Sequence, residues 1–136
     1  MDLKEWDKSS EHRYILHLID AFTRYLQSVF LNKKSSSLVT EKVMTHWVRI
    51  FGTPSRIWSD NGGKFSSEEM QDLSDNLGIE VSTGAAFSPW MNGINERQHN
   101  VIDRMLEKMM FENQGMNREV ALRWACNAKN ALQMQN

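Results

Sequence analysis

The stretch "RYILHLIDAFTRYLQSVFL" (residues 13–31) constrains the fold of this 136-residue chain more than any other. "RYILHLI" and "RYLQSVFL" are rich in leucine, β-branched and aromatic residues, and "DAFT" between them supplies a short polar connection, so the two runs read as strands of a hairpin. The first run is apolar on both parities, with Tyr14, Leu16 and Leu18 on one and Ile15 and Ile19 on the other. A strand of that kind is covered on both faces. The hairpin therefore demands a sheet with a layer on each side.

The rest of the chain supplies those layers. "MDLKEW" is a shorter strand ahead of the hairpin. "SSSLVTEKVMTHWVRIFGTP" changes period: Val39, Val43 and Trp47 step by four, and Met44, Val48 and Phe51 extend the stripe. Serines cap its start and Gly52 and Pro54 end it. "SRIWSD" is a fourth strand. "SSEEMQDLSDNLG" is a short helix with Ser66 and Glu69 at capping-box spacing and Gly78 at its end. "IEVST" is a fifth strand. After the irregular "GAAFSPWMNG", a long helix over roughly 94–112 carries Val101, Ile102, Met105, Leu106 and Met109 on one side. The last helix, from about Asn117, carries Val120, Trp124, Ala128 and Leu132. The order β-β-β-α-β-α-β-α-α predicts an α/β fold: a five-stranded mixed sheet, three antiparallel strands then two parallel, flanked by helices.

Composition narrows the function classes. The apolar fraction of 40% is that of a soluble globular protein, and no apolar run is long enough to span a membrane. Cys126 is the only cysteine, which excludes an intrachain disulfide and every multi-cysteine zinc pattern, and fits a reducing, intracellular setting. The net charge of −1 is a poor electrostatic footprint for a protein that binds nucleic acid unaided. His12, His17, His46 and His99 show no metal-site spacing, and His17, inside an apolar strand, reads as structural.

Two carboxylates stand out by position. Asp60 ends the "RIWSD" strand before the turn-forming "NGG", where sheets of this kind bind ligands. Turn chemistry explains an Asp-Asn-Gly run equally well. Glu96 begins the long helix, where acidic residues also serve as dipole partners. One helix and one strand lie between the two, so the chain can return to the same edge of the sheet.

The segments "FGTPSRIWSDNGGKFSS" and "FSPWMNGINERQHNVIDRML" resemble the catalytic core of retroviral and long-terminal-repeat retrotransposon integrases, a family of the ribonuclease H-like superfamily. The 35 residues between Asp60 and Glu96 match that family's spacing, and the hairpin matches as well, so the resemblance covers nearly the whole chain. It implies a triad of Asp2, Asp60 and Glu96 holding two Mg²⁺ or Mn²⁺ ions. Asp2 stands on the first strand with 57 residues before Asp60, whereas Asp20, with 39, sits in the hairpin connection and reads as a turn residue. Hard oxygen ligands suit such ions.

The implied reaction is DNA integration by phosphoryl transfer: processing of DNA 3′ ends with water, then strand transfer into a target. Asn61, Asn92, Gly93, Asn95, Arg97 and Asn100 are the implied DNA neighbours; an ordinary helix-capping role explains the Asn92, Gly93 and Asn95 loop equally well. One departure is plain. The family places basic residues one and two turns after the glutamate, where this chain has Asn100 and Asp103, so a carboxylate is expected to face the DNA backbone. The expectation is a single core domain over 1–136, without the His₂Cys₂ zinc module or the basic C-terminal module of full integrases. Implied partners are DNA, a second copy in a homodimer packed through its helices, and host proteins; the implied location is the nucleus. The competing reading is a domesticated core, weakly active or inactive, serving as a dimerisation or protein-interaction module. A ribonuclease H-type nuclease is the third.

Overall fold

Strands β1 (Asp2–Glu5), β2 (Tyr14–Ile19) and β3 (Leu26–Leu31) form an antiparallel meander, with Asp2 opposite His17 and Tyr14 opposite Leu31. The computed structural model describes residues 1–7, 12–59, 66–83 and 89–134; the side chains of Asp2, Asn92 and Asn95 are among those outside that description. Asp20 closes the hairpin as a turn residue, its Oδ1 accepting from the backbone N–H of Phe22 at 2.8 Å and of Thr23 at 3.0 Å. The hairpin's two parities lead to two cores. Leu16 and Leu18 join Leu3, Leu31, Val39 and Leu73 on one face. Ile15 joins Leu26, Phe30, Ile102, Leu106 and Leu122 on the other.

Helix α1 (Ser36–Val43) starts at Ser35, whose side chain accepts from Leu38 N–H. It runs into a π-helical segment (Met44–Val48) and a final turn, α2 (Arg49–Phe51). Gly52, at φ 88°, then ends the run in a conformation open to glycine. Strand β4 (Arg56–Ser59) pairs in parallel with β5 (Glu80–Thr83), and α3 (Ser67–Leu77) is the crossover between them. The Ser66 and Glu69 side chains cap α3 reciprocally, and Gly78 at φ 66° terminates it.

All five strands are present, divided into a three-stranded and a two-stranded sheet rather than one continuous ladder. β1 pairs along its whole length with β2, and one described hydrogen bond across to β4 runs from the Met1 backbone nitrogen to the Trp58 carbonyl at 2.7 Å.

Helix α4 spans Pro89–Glu112, five residues longer at its start than the sequence suggested. Proline favours the first helical turn, where its missing N–H is not needed and its φ is already set. Trp90 to Gly93 thus belong to the helix instead of an irregular loop, and Gly93 does not adopt positive φ.

Helix α5 spans Arg118–Met134. Val120, Trp124, Ala128 and Leu132 face outward, with Trp124 60% exposed. Ala121, Leu122, Ala125 and Cys126 form the buried face instead. Small residues there let α5 sit close to α4 and β3. Asn130 completes the join: its Oδ1 accepts from Leu26 N–H at 2.9 Å and its Nδ2 donates to Leu26 C=O at 2.8 Å, replacing a neighbouring strand. Among the described residues, no helix is long and apolar enough to cross a membrane.

Candidate active site

A cleft of about 840 Å³ opens where the start of β1, the end of β4 and the first half of α4 converge. Met1 and Lys4 line it from β1, Trp58 and Ser59 from β4, and Glu96, His99, Asn100 and Asp103 from α4. The four α4 residues follow i, i+3, i+4, i+7 spacing and so share one helix face. On β1, directly opposed residues share a sheet face. The register sets Asp2 opposite His17 and Lys4 opposite Ile15, which places both β1 positions on the side that α4 covers.

Glu96 is exposed on the cleft wall, as is Asn100. Arg97 is exposed, and Gly93 is half-buried in the helix. Asn92 and Asn95 stand in the same helix, their side chains undescribed. Asp60 and Asn61 lie outside the described residues, as does the Asp2 side chain. Glu96 is thus the one member of the triad with a described side chain. Among the described residues, no group of three His, Cys, Asp or Glu side chains comes together to hold a metal.

Asp103 overturns the expectation of a carboxylate facing DNA. It stands two turns after Glu96, yet it is only 5% exposed. Its Oδ2 lies 2.5 Å from Lys4 Nζ, and its Oδ1 faces His17 Nε2 at 3.4 Å. Burial opposes ionisation of Asp103, but contacts with His17 and Lys4 outweigh it and hold the carboxyl below its ordinary 3.8. The cleft therefore carries a cation after all, presented from β1 rather than from α4.

Behind this pair is a buried polar cluster that no sequence motif announced. His17, fully buried, has Nδ1 2.6 Å from Ser28 Oγ. Its ring stacks on His99 with centroids 4.6 Å apart. Asp103, His17 and Ser28 are the residue types of a hydrolytic triad, but Ser28 is fully buried too, so no substrate reaches its hydroxyl. The cluster is structural. The available signal was the polar i, i+3, i+4, i+7 run Glu96, His99, Asn100, Asp103, which marks a helix face with a polar counterpart.

An antiparallel three-stranded meander beside a parallel strand pair, covered by helices and with a cleft at the β1 and β4 ends, matches the ribonuclease H-like class. The integrase core domain family model matches residues 1–89, and the chain belongs to that family, the catalytic cores of retroviral-type integrases. It is 30% identical over 101 residues to the Pol polyprotein of feline endogenous virus ECE1, covering 74% of this chain and 10% of that one. It is 29% identical over 130 residues to the Gag-Pro-Pol polyprotein of human T-cell leukemia virus 2, covering 95% of this chain and 9% of that one. The chain therefore spans about a tenth of the curated relatives it matches.

Among solved structures, a chain of the simian T-cell lymphotropic virus intasome in complex with PP2A regulatory subunit B56 gamma is similar, with TM-score 0.67 and 25% identity over 83% of this chain and 40% of that one. The dimeric HTLV-2 integrase catalytic core in complex with magnesium shares the fold, with TM-score 0.61 and 21% identity over 82% of this chain and 79% of that one.

Proposed function

We propose that this core carries out DNA integration by divalent-metal-dependent phosphoryl transfer, with Asp2, Asp60 and Glu96 as the metal-holding and catalytic carboxylates. The observation that carries the reading is the convergence of Met1, Ser59 and Glu96 on one cleft. Those residues are the chain neighbours of Asp2 and Asp60 together with the third carboxylate itself. The donor set is all oxygen, as Mg²⁺ or Mn²⁺ requires. A pair of such ions would supply Lewis-acid activation of the attacking oxygen and stabilisation of the leaving one. The protein's own share is positioning: α4 presents Glu96, Asp2 and Asp60 complete the donor set, and Asn61, Asn92, Gly93, Asn95, Arg97 and Asn100 are the residues assigned to the DNA.

The magnesium named with the HTLV-2 core supports the cofactor assignment, and the intasome named for the simian virus supports DNA as substrate. The reading places the protein in the nucleus, with its substrate. The test is a Mn²⁺-dependent nicking assay on labelled duplex DNA, in which the wild-type chain cuts and Asp60→Asn and Glu96→Gln do not.

The outward stripe of α5 favours a second role, as an association surface. Val120, Trp124 and Leu132 are each 47% or more exposed. Such an apolar row on a surface helix is a feature of interfaces. The dimeric form of the HTLV-2 core supports a homodimer, which this reading assigns to the α5 face, and the B56 gamma complex supports host partners. A core silent in nicking but dimeric through α5 fits the domesticated reading.

A further inference from the structure

We propose that Asp103, held between Lys4 and His17, is a positioning residue that fixes α4 on β1 and so sets where Glu96 stands relative to the two aspartates. This role rests on the metal-site reading and adds residues that the triad does not contain.

Two registers meet at this point. On β1, Lys4 is two residues after Asp2, so both positions fall on one face. On α4, Asp103 is seven residues after Glu96, which brings it back to nearly the same side two turns later. The Lys4 to Asp103 bridge of 2.5 Å therefore ties the strand that carries Asp2 to the helix that carries Glu96. His17 makes the second tie. It stands opposite Asp2 in the ladder and touches α4 twice, through Asp103 at 3.4 Å and through the ring of His99. His99 is three residues after Glu96. Three contacts over one helix turn fix both the rotation of α4 and its slide along the sheet.

The wall here is polar, not apolar. Leucine packing holds a helix with tolerance for small rotations, whereas ion pairs and stacked rings fail quickly with angle and distance. The apolar grip on α4 comes at Ile102, within the span of the cluster, and at Leu106 beyond it; among the described residues, none of the core residues of α4 precedes His99 on the Glu96 side. The segment bearing Glu96 thus depends on the polar ties. Ligands placed to about half an ångström need such support from the residues behind them.

The test uses the folded 136-residue chain with Cys126→Ala, spin-labelled at Asn32→Cys after β3 and at Arg97→Cys on α4. The distance distribution between labels is measured without metal, and Mn²⁺ affinity is measured by the signal of the free ion. Asp103→Asn is expected to broaden the distribution and to weaken Mn²⁺ binding about tenfold or more. Lys4→Met acts in the same direction and serves if Asp103→Asn does not fold; Lys4→Arg restores both readouts. A residue that merely stabilised the fold leaves the affinity of the folded fraction unchanged. An unchanged label distance in Asp103→Asn and Lys4→Met overturns the proposal, whatever the ion does. A wild-type chain that binds no Mn²⁺ instead removes the metal reading, and the label distances still decide the clamp.

Discussion

His17 and His99 lie face to face, their ring planes 9° from parallel. His17 is the strand residue opposite Asp2, and His99 lies in the helix turn after Glu96. The stack is a buried contact between the sheet and the helix that carries Glu96. Asp103 and Lys4 continue that contact toward the cleft.

Asp103→Asn removes the charge that Lys4 and His17 face. Asp103 is buried but Lys4 is nearly half exposed, so losing this charge-assisted contact costs about 1–2 kcal/mol, less than for a fully buried pair. The folded carboxyl ionises below its ordinary 3.8, so its contribution is present above that pH and disappears as pH falls through the folded value. Urea unfolding at neutral pH is expected to show the full deficit of the variant. In strong acid, below the folded value, the wild type has lost its advantage. A deficit that stays constant across this range contradicts the assignment.

Gly93→Ala tests the early start of α4. The position is helical, and a Cβ there meets nothing within 4 Å. Alanine is favoured over glycine inside a helix by about 1 kcal/mol. The substitution should raise the midpoint of thermal unfolding. A fall points to an irregular loop at 93 of the kind the sequence suggested.

Lys129 offers a second pH test, in the alkaline range. It is 4% exposed, and its Nζ donates to the Arg24 carbonyl. Burial first, then the nearby Arg24, lowers its pKa from 10.5 to about 8. The unfolded chain therefore binds more protons between these values, and stability rises with pH over that window. Below about pH 8 the burial cost is fully present. Lys129→Met is expected to gain about 1–2 kcal/mol at neutral pH, after allowance for the lost hydrogen bond, and to flatten the rise. Urea titrations at neutral pH and at about pH 10 show whether the rise belongs to this residue.

Trp124→Glu separates association from folding. At 60% exposure the side chain contributes little to the monomer's core, and surface changes of this sort stay within about 0.5 kcal/mol. Sedimentation velocity should show wild-type dimer converted to monomer with unchanged unfolding. A variant that stays dimeric moves the interface elsewhere.

Much of the fold is legible where local chemistry decides. Asp20 reads as a turn residue because a carboxylate in a short connection bonds the next backbone N–H groups, and it does so. The Ser66 and Glu69 cap and the Gly78 stop are readable for the same reason: each is settled within four residues. The sequence leaves the outcome open where two faces of one helix compete. On α5 the larger stripe of Val120, Trp124 and Leu132 resembles a core face, but close approach to α4 and β3 selects the smaller Ala121, Ala125 and Cys126. On α4 the helical phase of Asp103 is readable, and its burial is not. The partner across from a helix is a long-range fact, and here it is Lys4 and His17, 99 and 86 residues earlier in the sequence. The triad spacing is legible through resemblance. The residues that brace it have no motif.

The most direct measurement is Mn²⁺-dependent nicking of end-labelled duplex DNA by the wild-type chain beside Asp2→Asn, Asp20→Asn, Asp60→Asn and Glu96→Gln. Wild type and Asp20→Asn are expected to cut, and the other three are not. Cutting that survives in Asp60→Asn or Glu96→Gln, or that is lost in Asp20→Asn but kept in Asp2→Asn, contradicts the triad.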